Sequence, residues 1–193
     1  MATRAEFFAG LSPCAIEPVA MPSMDFSALD APVLQVFRQM LAAVGGIAGA
    51  GSTLPEVDQF ARSLLDGGSQ VLSLVDGVTG SIDTSTVHSP RQLAHVDYTI
   101  APARLGVAEN GSVWIDGRDL PQRSAVFICE HLVVTCHAAS VVGTLSDAMR
   151  QLGSVAGNWG AFISGPSKTA DIEQSLVIGA HGARSCTVFL LAD

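Results

Sequence analysis

Two short segments near the end of the chain combine a lysine, a histidine and small polar residues. Residues 164–169 read Ser-Gly-Pro-Ser-Lys-Thr, and residues 179–182 read Gly-Ala-His-Gly. An ammonium group beside hydroxyls and exposed amides can bind a carboxylate or a phosphate, and glycines let the backbone approach such a ligand closely. The residues expected to bind it are Ser164, Gly165, Ser167, Lys168, Thr169, Glu173 and Gly182.

Three residues, His181, Asp171 and Glu109, are candidates for proton transfer or covalent chemistry. Imidazole titrates near neutral pH, so His181 could act as a general acid or base. A helix is predicted over residues 170–178, and Asp171 and Glu173 would point to different sides of it. One of these two acids would then act on the ligand, while the other would complement the helix dipole. The negative charges of Asp171 and Glu173 would repel a bound phosphate unless a cation lay between the carboxylates and the phosphate.

Each of these features also has an ordinary structural explanation. A lysine at the start of a helix can be a solvated surface residue, and a histidine in a turn often bonds a carbonyl group. Glu109 stands in a Glu-Asn-Gly turn before an apolar segment, and Asn-Gly alone favours a hairpin turn. The residues by themselves leave both interpretations open.

Alternating apolar and helical segments must position these residues. Helices are predicted over residues 31–44, 53–67, 140–152 and 170–178, and strands over residues 70–75, 93–100, 112–115, 125–129, 132–135, 160–163 and 186–191, with a flexible segment at 45–51. This alternation indicates an α/β fold with a mainly parallel sheet and helices on both faces. The loop at residues 164–169 would then lie at the carboxyl edge of the sheet, before a helix N-terminus that favours anions.

Composition argues against several classes of function. The 193 residues carry a net charge of −8, so the chain has no overall attraction for nucleic acid or for an anionic membrane. No apolar run reaches the length of a transmembrane helix, and the N-terminus is a poor signal peptide. The four cysteines lack C-x-x-C spacing, so we expect no metal site and a reducing, cytoplasmic location. No nucleotide-binding or hydrolase motif follows a strand.

Residues 165–182, GPSKTADIEQSLVIGAHG, resemble the signature of the lactate utilization protein C family, also called the LUD domain. The family usually has Arg in place of Lys168 and Pro in place of Ala183. Residues 106–113 are similar to the family's Ala-Glu-Thr-Gly stretch, with Asn110 in place of Thr. We interpret residues 1–193 as a single LUD-type domain, in which residues 70–193 form the family-like core and residues 1–69 a helical part without a match.

This resemblance implies a fold like that of ribose-5-phosphate isomerase, glucosamine-6-phosphate deaminase and the CoA-transferases. It also implies a component that takes part in oxidising L-lactate to pyruvate with iron–sulfur partner proteins. This chain would hold no cofactor itself, and would bind a small carboxylate or phosphate ligand or organise the complex.

The resemblance also leaves two alternatives open. CoA-transferases of this fold group use a glutamate in a similar Glu-Asn-Gly stretch as nucleophile, which implies that role for Glu109. The chain would then be a stand-alone isomerase or CoA-transferase-like enzyme, with Glu109 as nucleophile or base. The second alternative is a non-catalytic module that binds a metabolite.

Overall fold

The described residues form two larger sheets packed on each other, a separate two-stranded sheet, and helices that pack against the larger sheets. We describe the fold from a computed structural model, which describes residues 3–5, 7, 31–153, 159–170 and 176–192. In chain order the elements are α1 (Val33–Ala43), β1 (Ile47–Ala48), α2 (Leu54–Asp66), β2 (Val71–Ser73), β3 (Tyr98–Ala103), β4 (Leu105–Val107), β5 (Ser112–Asp116), α3 (Ala125–Ile128), β6 (His131–His137), β7 (Val141–Val142), α4 (Leu145–Leu152), β8 (Gly160–Ile163), β9 (Lys168–Ala170), β10 (Leu176–Ile178) and β11 (Ser185–Leu191).

The central sheet has five strands, all of them parallel, in the order β1-β11-β6-β3-β2. Strands β11 and β6 pair over their full length, from Ser185 opposite His131 to Leu191 opposite His137. Both strands are almost wholly buried, which explains their near-continuous apolar sequences. The predicted α/β fold with a mainly parallel sheet is confirmed.

The two faces of the central sheet are covered differently. On one face, helix α2 packs Val57 and Ala61 against a cluster that includes Ile100 and Val133. On the other face lie Phe37 and Leu41 of α1, the short helix α3 and a second sheet in the order β7-β4-β5-β8. The outer side of that second sheet is covered by α4.

Helix α2 begins where the sequence predicts. The Thr53 hydroxyl accepts from the backbone N–H of Glu56, and the Glu56 carboxylate accepts from the backbone N–H of Thr53. This reciprocal capping satisfies two N–H groups that have no partner within the helix. Pro55 occupies the first turn, where a missing N–H costs nothing. None of the helices in the described ranges is long and apolar enough to cross a membrane.

The helix predicted over residues 170–178 is wrong. Residues 168–170 and 176–178 instead form an antiparallel pair, β9 and β10, in which Thr169 lies opposite Val177. β-branched residues such as Thr169, Val177 and Ile178 suit a strand better than a helix. The argument that a helix N-terminus would attract an anion at this position therefore no longer applies.

Several other predicted elements need correction. Residues 125–128 form helix α3 instead of a strand, because a five-residue apolar run is too short to show a period. Strand β3 begins at Tyr98, after a 3₁₀ turn at residues 90–93, and α4 begins at Leu145, after strand β7. The segment at residues 45–51 contains β1, so a part of the chain interpreted as a flexible segment supplies an edge strand of the central sheet.

Candidate functional site

The loop after β8 and the turn before β11 line one pocket of about 340 Å³. Six of the residues singled out from the sequence meet in it: Ser164, Gly165, Ser167, Lys168, His181 and Gly182. Apolar side chains from α3, β6 and β8 complete the wall, among them Phe127, Leu132 and Phe162. The antiparallel pair of β9 and β10, in which Lys168 lies opposite Ile178, brings the two polar segments together.

Backbone hydrogen bonds hold the loop and the turn against each other. The N–H of Ser167 donates to the carbonyl of Ala183 over 2.8 Å, and the N–H of Gly179 donates to the carbonyl of Ser167 over 2.9 Å. Gly182 lies close to Ser167, since a Cβ added at Gly182 would be 3.1 Å from the Ser167 Cβ. Lys168 and His181 are therefore presented by one hydrogen-bonded unit.

Gly165 allows the loop to pass closely over the end of α1. Its φ is +71°, in the left-handed region that favours glycine. A Cβ at this position would lie 2.7 Å from the carbonyl oxygen of Val44. Both the conformation and the close contact therefore require glycine here.

Lys168 supplies positive charge between the end of α1 and the pocket. Its ammonium group packs near Gly45, where an added Cβ would lie 3.6 Å from Nζ. The partial negative charge at the C-terminal end of a helix stabilises a nearby cation. No carboxylate of the described residues pairs with Lys168, and no described residue lining the pocket is acidic. The charge of Lys168 is thus available to an anion in the pocket.

Glu109 lies beside this site but does not line the pocket. Its carboxylate accepts a hydrogen bond from the backbone N–H of Leu145 over 3.0 Å, at the first residue of α4. The next residue, Asn110, uses its carbonyl to accept from the Ser164 hydroxyl over 2.7 Å. The turn at residues 109–111 therefore contacts the loop at residues 164–169 through Asn110. The Glu109 carboxylate caps the first turn of α4.

The remaining predicted site residues are placed differently or lie outside the described residues. Thr169 lies in β9, opposite Val177, and does not line the pocket. Asp171 and Glu173 lie outside the described residues. The pocket also adjoins the start of β6, through Leu132, and the chain just before β11, through Ala183, so it lies at the amino edge of the central sheet. The predicted carboxyl edge is wrong for this sheet, because the loop follows β8, which belongs to the second sheet.

Two thiols near the pocket, those of Cys129 and Cys186, are buried. Burial raises the pKa of the Cys186 thiol to about 12 and also raises the pKa of the Cys129 thiol. Cys136, further along β6, has a pKa raised to about 12 for the same reason. Metals and nucleophilic reactions require the thiolate form. Within the described ranges, no three His, Cys, Asp or Glu residues are grouped so that they could hold a metal ion.

Sequence reasoning missed the apolar wall of the pocket. Phe127 of α3 is 41% exposed and lies edge-on to Trp159, with ring centroids 6.0 Å apart. The run at residues 125–129 was expected to be a buried strand, and nothing in its composition separates that structure from a helical turn. The tertiary structure alone shows that this run borders the pocket.

A sequence model of the LUD domain family matches residues 28–191, which is most of the chain. The chain belongs to the LUD domain family. The match extends upstream of the motifs discussed above, so α1, β1 and α2 are part of this domain. The fold and the family agree with the resemblance carried by residues 165–182.

Curated relatives and a solved structure are also similar to this LUD domain. Lactate utilization protein C of Geobacillus thermodenitrificans is 30% identical over 49% of this chain and 42% of its own length. The protein of the same name from Shouchella clausii is 28% identical over 54% of this chain and 48% of its own length. The chain therefore matches less than half the length of these relatives. The crystal structure of a DUF162 family protein from Deinococcus radiodurans covers 83% of this chain and 96% of that chain, with a TM-score of 0.62 and 14% identity, and shows a shared fold.

Proposed function

We propose that this LUD domain is a component of lactate utilization, and that it binds a small carboxylate in the pocket between the loop of Lys168 and the turn of His181. The observation that carries this proposal is the pairing of one cation and one imidazole in a pocket whose described lining has no acidic side chain. The names of the curated relatives support the metabolic context.

The chemistry of the pocket suits an anion of a hydroxy acid or a keto acid. The Lys168 ammonium would bind the carboxylate, and the Ser167 hydroxyl could donate a further hydrogen bond. His181 would lie near the hydroxyl or carbonyl group, where an imidazole can donate or accept a proton. We propose no hydride or electron transfer by these side chains, because none of them can accept a pair of electrons.

In this proposal the oxidation itself takes place with iron–sulfur partner proteins. The four cysteines have no C-x-x-C spacing, and the three described thiols are buried with raised pKa values. Such thiols are poor ligands for a cluster. This chain would present the substrate or organise the complex, while its partners carry the clusters.

Isotopic labelling of Lys168 tests whether the pocket binds a carboxylate. Lys168 is the only lysine in the sequence, so reductive methylation with a ¹³C label gives one lysine side-chain signal. Lactate or pyruvate should shift that signal on titration. Lys168→Ala should weaken binding, measured by calorimetry, roughly ten- to a hundredfold, the range expected for one hydrogen bond to a charged group.

Two further variants make the result specific. Lys168→Arg keeps the charge and should retain most of the affinity. Arg62→Ala removes an equal charge from α2, on the opposite face of the central sheet, and should leave the affinity unchanged. If Lys168→Ala binds these acids as well as the wild type does, the proposed site is wrong.

A further inference from the structure

A second cavity, of about 380 Å³, adjoins the candidate site on the other side of His181. The two cavities share Phe127, His181 and Gly182 in their walls. His181 is exposed and stands where they meet, and Gly182 contributes no side chain to the boundary. A single ligand could therefore occupy both cavities and pass beside the imidazole.

The second cavity contains one guanidinium group, that of Arg184. Its Nη1 contacts the Glu130 carboxylate at 3.3 Å, and both side chains are more than half exposed. An exposed pair with one long contact contributes little to stability. The guanidinium presents five N–H donors in a planar fork that matches a carboxylate or a phosphate. Most of those donors remain available to a ligand.

The stem of Arg184 is held by the same turn that presents His181. The Arg184 Cγ lies so close to Gly179 that a Cβ at that glycine would be 2.5 Å from it. Gly179 has a φ of +81° and donates to the carbonyl of Ser167, the residue before Lys168. The positions of Lys168, His181 and Arg184 are therefore set by one connected backbone unit.

We propose that the site binds an organic acid with two anionic groups, one held by Lys168 and the other by Arg184, with its central carbons beside His181. This inference rests on the proposed function and extends it from a monocarboxylate to a dicarboxylate or a phosphorylated acid. The second anion would take over the guanidinium contact that Glu130 now makes. Glu130 is thus a competitor for the ligand.

A matched series of acids tests this inference. Propionate and lactate have one carboxylate, whereas malonate, succinate and glutarate have two at increasing separation. At least one of the dicarboxylates should bind the wild type roughly five- to tenfold more tightly than propionate, as measured by calorimetry. Arg184→Gln should remove that advantage and leave propionate binding unchanged. Glu130→Gln should increase the advantage, because the guanidinium then has no competing carboxylate.

The outcomes separate this inference from the proposed function. If monocarboxylates bind in a Lys168-dependent way and a second carboxylate adds nothing, the two-anion inference alone is wrong. If dicarboxylates bind more tightly but Arg184→Gln keeps the full advantage, Arg184 is not the second anchor, and the inference is again wrong. If neither class of acid depends on Lys168, the proposed function fails as well. Thermal unfolding of Arg184→Gln and Glu130→Gln checks that both variants are folded. Their melting temperatures should match that of the wild type.

Discussion

At the carboxyl edge of the central sheet, two arginines are paired with two aspartates, whereas at the amino edge Lys168 pairs with no carboxylate of the described residues. At the carboxyl edge, Arg104 follows β3 and contacts Asp116 at 3.3 Å and Asp119 at 2.8 Å, and Arg118 also pairs with Asp116. The Asp116 side chain is only 6% exposed. The two arginines, which are about half exposed, neutralise the buried Asp116 and the less buried Asp119, so we assign these charges a structural role.

At the amino edge, no described acidic residue lines the pocket of Lys168, and the Arg184 guanidinium contacts the Glu130 carboxylate at 3.3 Å. The loop of Lys168 is held by backbone hydrogen bonds, whereas Arg184 also forms an exposed ion pair with Glu130. The comparison teaches that a charged side chain with close ion-pair partners serves the structure, whereas one without such partners is available to a ligand. Four experiments can break or sharpen this comparison.

The largest effect is expected at the carboxyl edge. Asp116→Asn should lower the free energy of unfolding by about 2–3 kcal/mol, because it weakens a buried acceptor of the Arg118 guanidinium and backbone N–H. Urea denaturation measures this change. Asp119→Asn, at a more exposed carboxylate, should cost less than about 1 kcal/mol. Equal losses in the two variants would contradict the claim that burial makes Asp116 structural.

The next effect concerns the glycine that shapes the amino-edge loop. Gly165→Ala should destabilise the protein by about 2 kcal/mol, because alanine is strained at positive φ and its Cβ would clash with the Val44 carbonyl. Gly68→Ala is the matched control, since Gly68 has a φ of +86° with nothing within 4 Å of an added Cβ. Only Gly165→Ala should also weaken carboxylate binding. Parallel losses of affinity in both variants would mean that the loop contact does not shape the site.

A smaller effect should appear in the pH dependence of stability. The Arg118 guanidinium holds the pKa of Asp116 at about 2, below its usual value. A carboxylate with a lowered folded-state pKa stabilises the protein above its unfolded pKa of about 4, and this contribution is lost as the pH falls towards 2. The stability difference between the wild type and Asp116→Asn should therefore be constant above pH 5 and shrink below pH 4. A difference that stays constant down to pH 2 would remove the electrostatic explanation.

The smallest effect is expected at Glu109, next to the amino-edge site. Glu109→Gln should lower the melting temperature by about 2 °C or less, because an amide oxygen is a weaker acceptor than a carboxylate for the N–H of Leu145. Asp147→Asn, in the capping box of the same helix, is the comparison variant. Carboxylate affinity should not change in either variant. A large loss of affinity in Glu109→Gln alone would mean that Glu109 contacts the ligand and is not only a helix cap; its role as nucleophile or base stays a prediction.

The motif at residues 164–182 shows how far local sequence can locate a site. Its hydroxyls, its lysine and its histidine were recognisable by type, and six of the predicted residues do line one pocket. The secondary structure between them was predicted as a helix and is a pair of strands where the structure describes it. Residue type identifies possible chemistry, but a short segment with mixed propensities takes the conformation that tertiary contacts favour.

The sequence by itself determined the family, the parallel α/β class and the start of α2, because each rests on a long motif, on apolar periodicity or on a local capping pattern. Only the tertiary structure decided that the pocket lies at the amino edge, that Phe127 forms part of its wall and that the cavity of Arg184 shares His181 with the pocket of Lys168. Those relations depend on which sheet each strand joins. Strand pairing joins residues distant in the chain, so neither the spacing nor the composition of one segment encodes it.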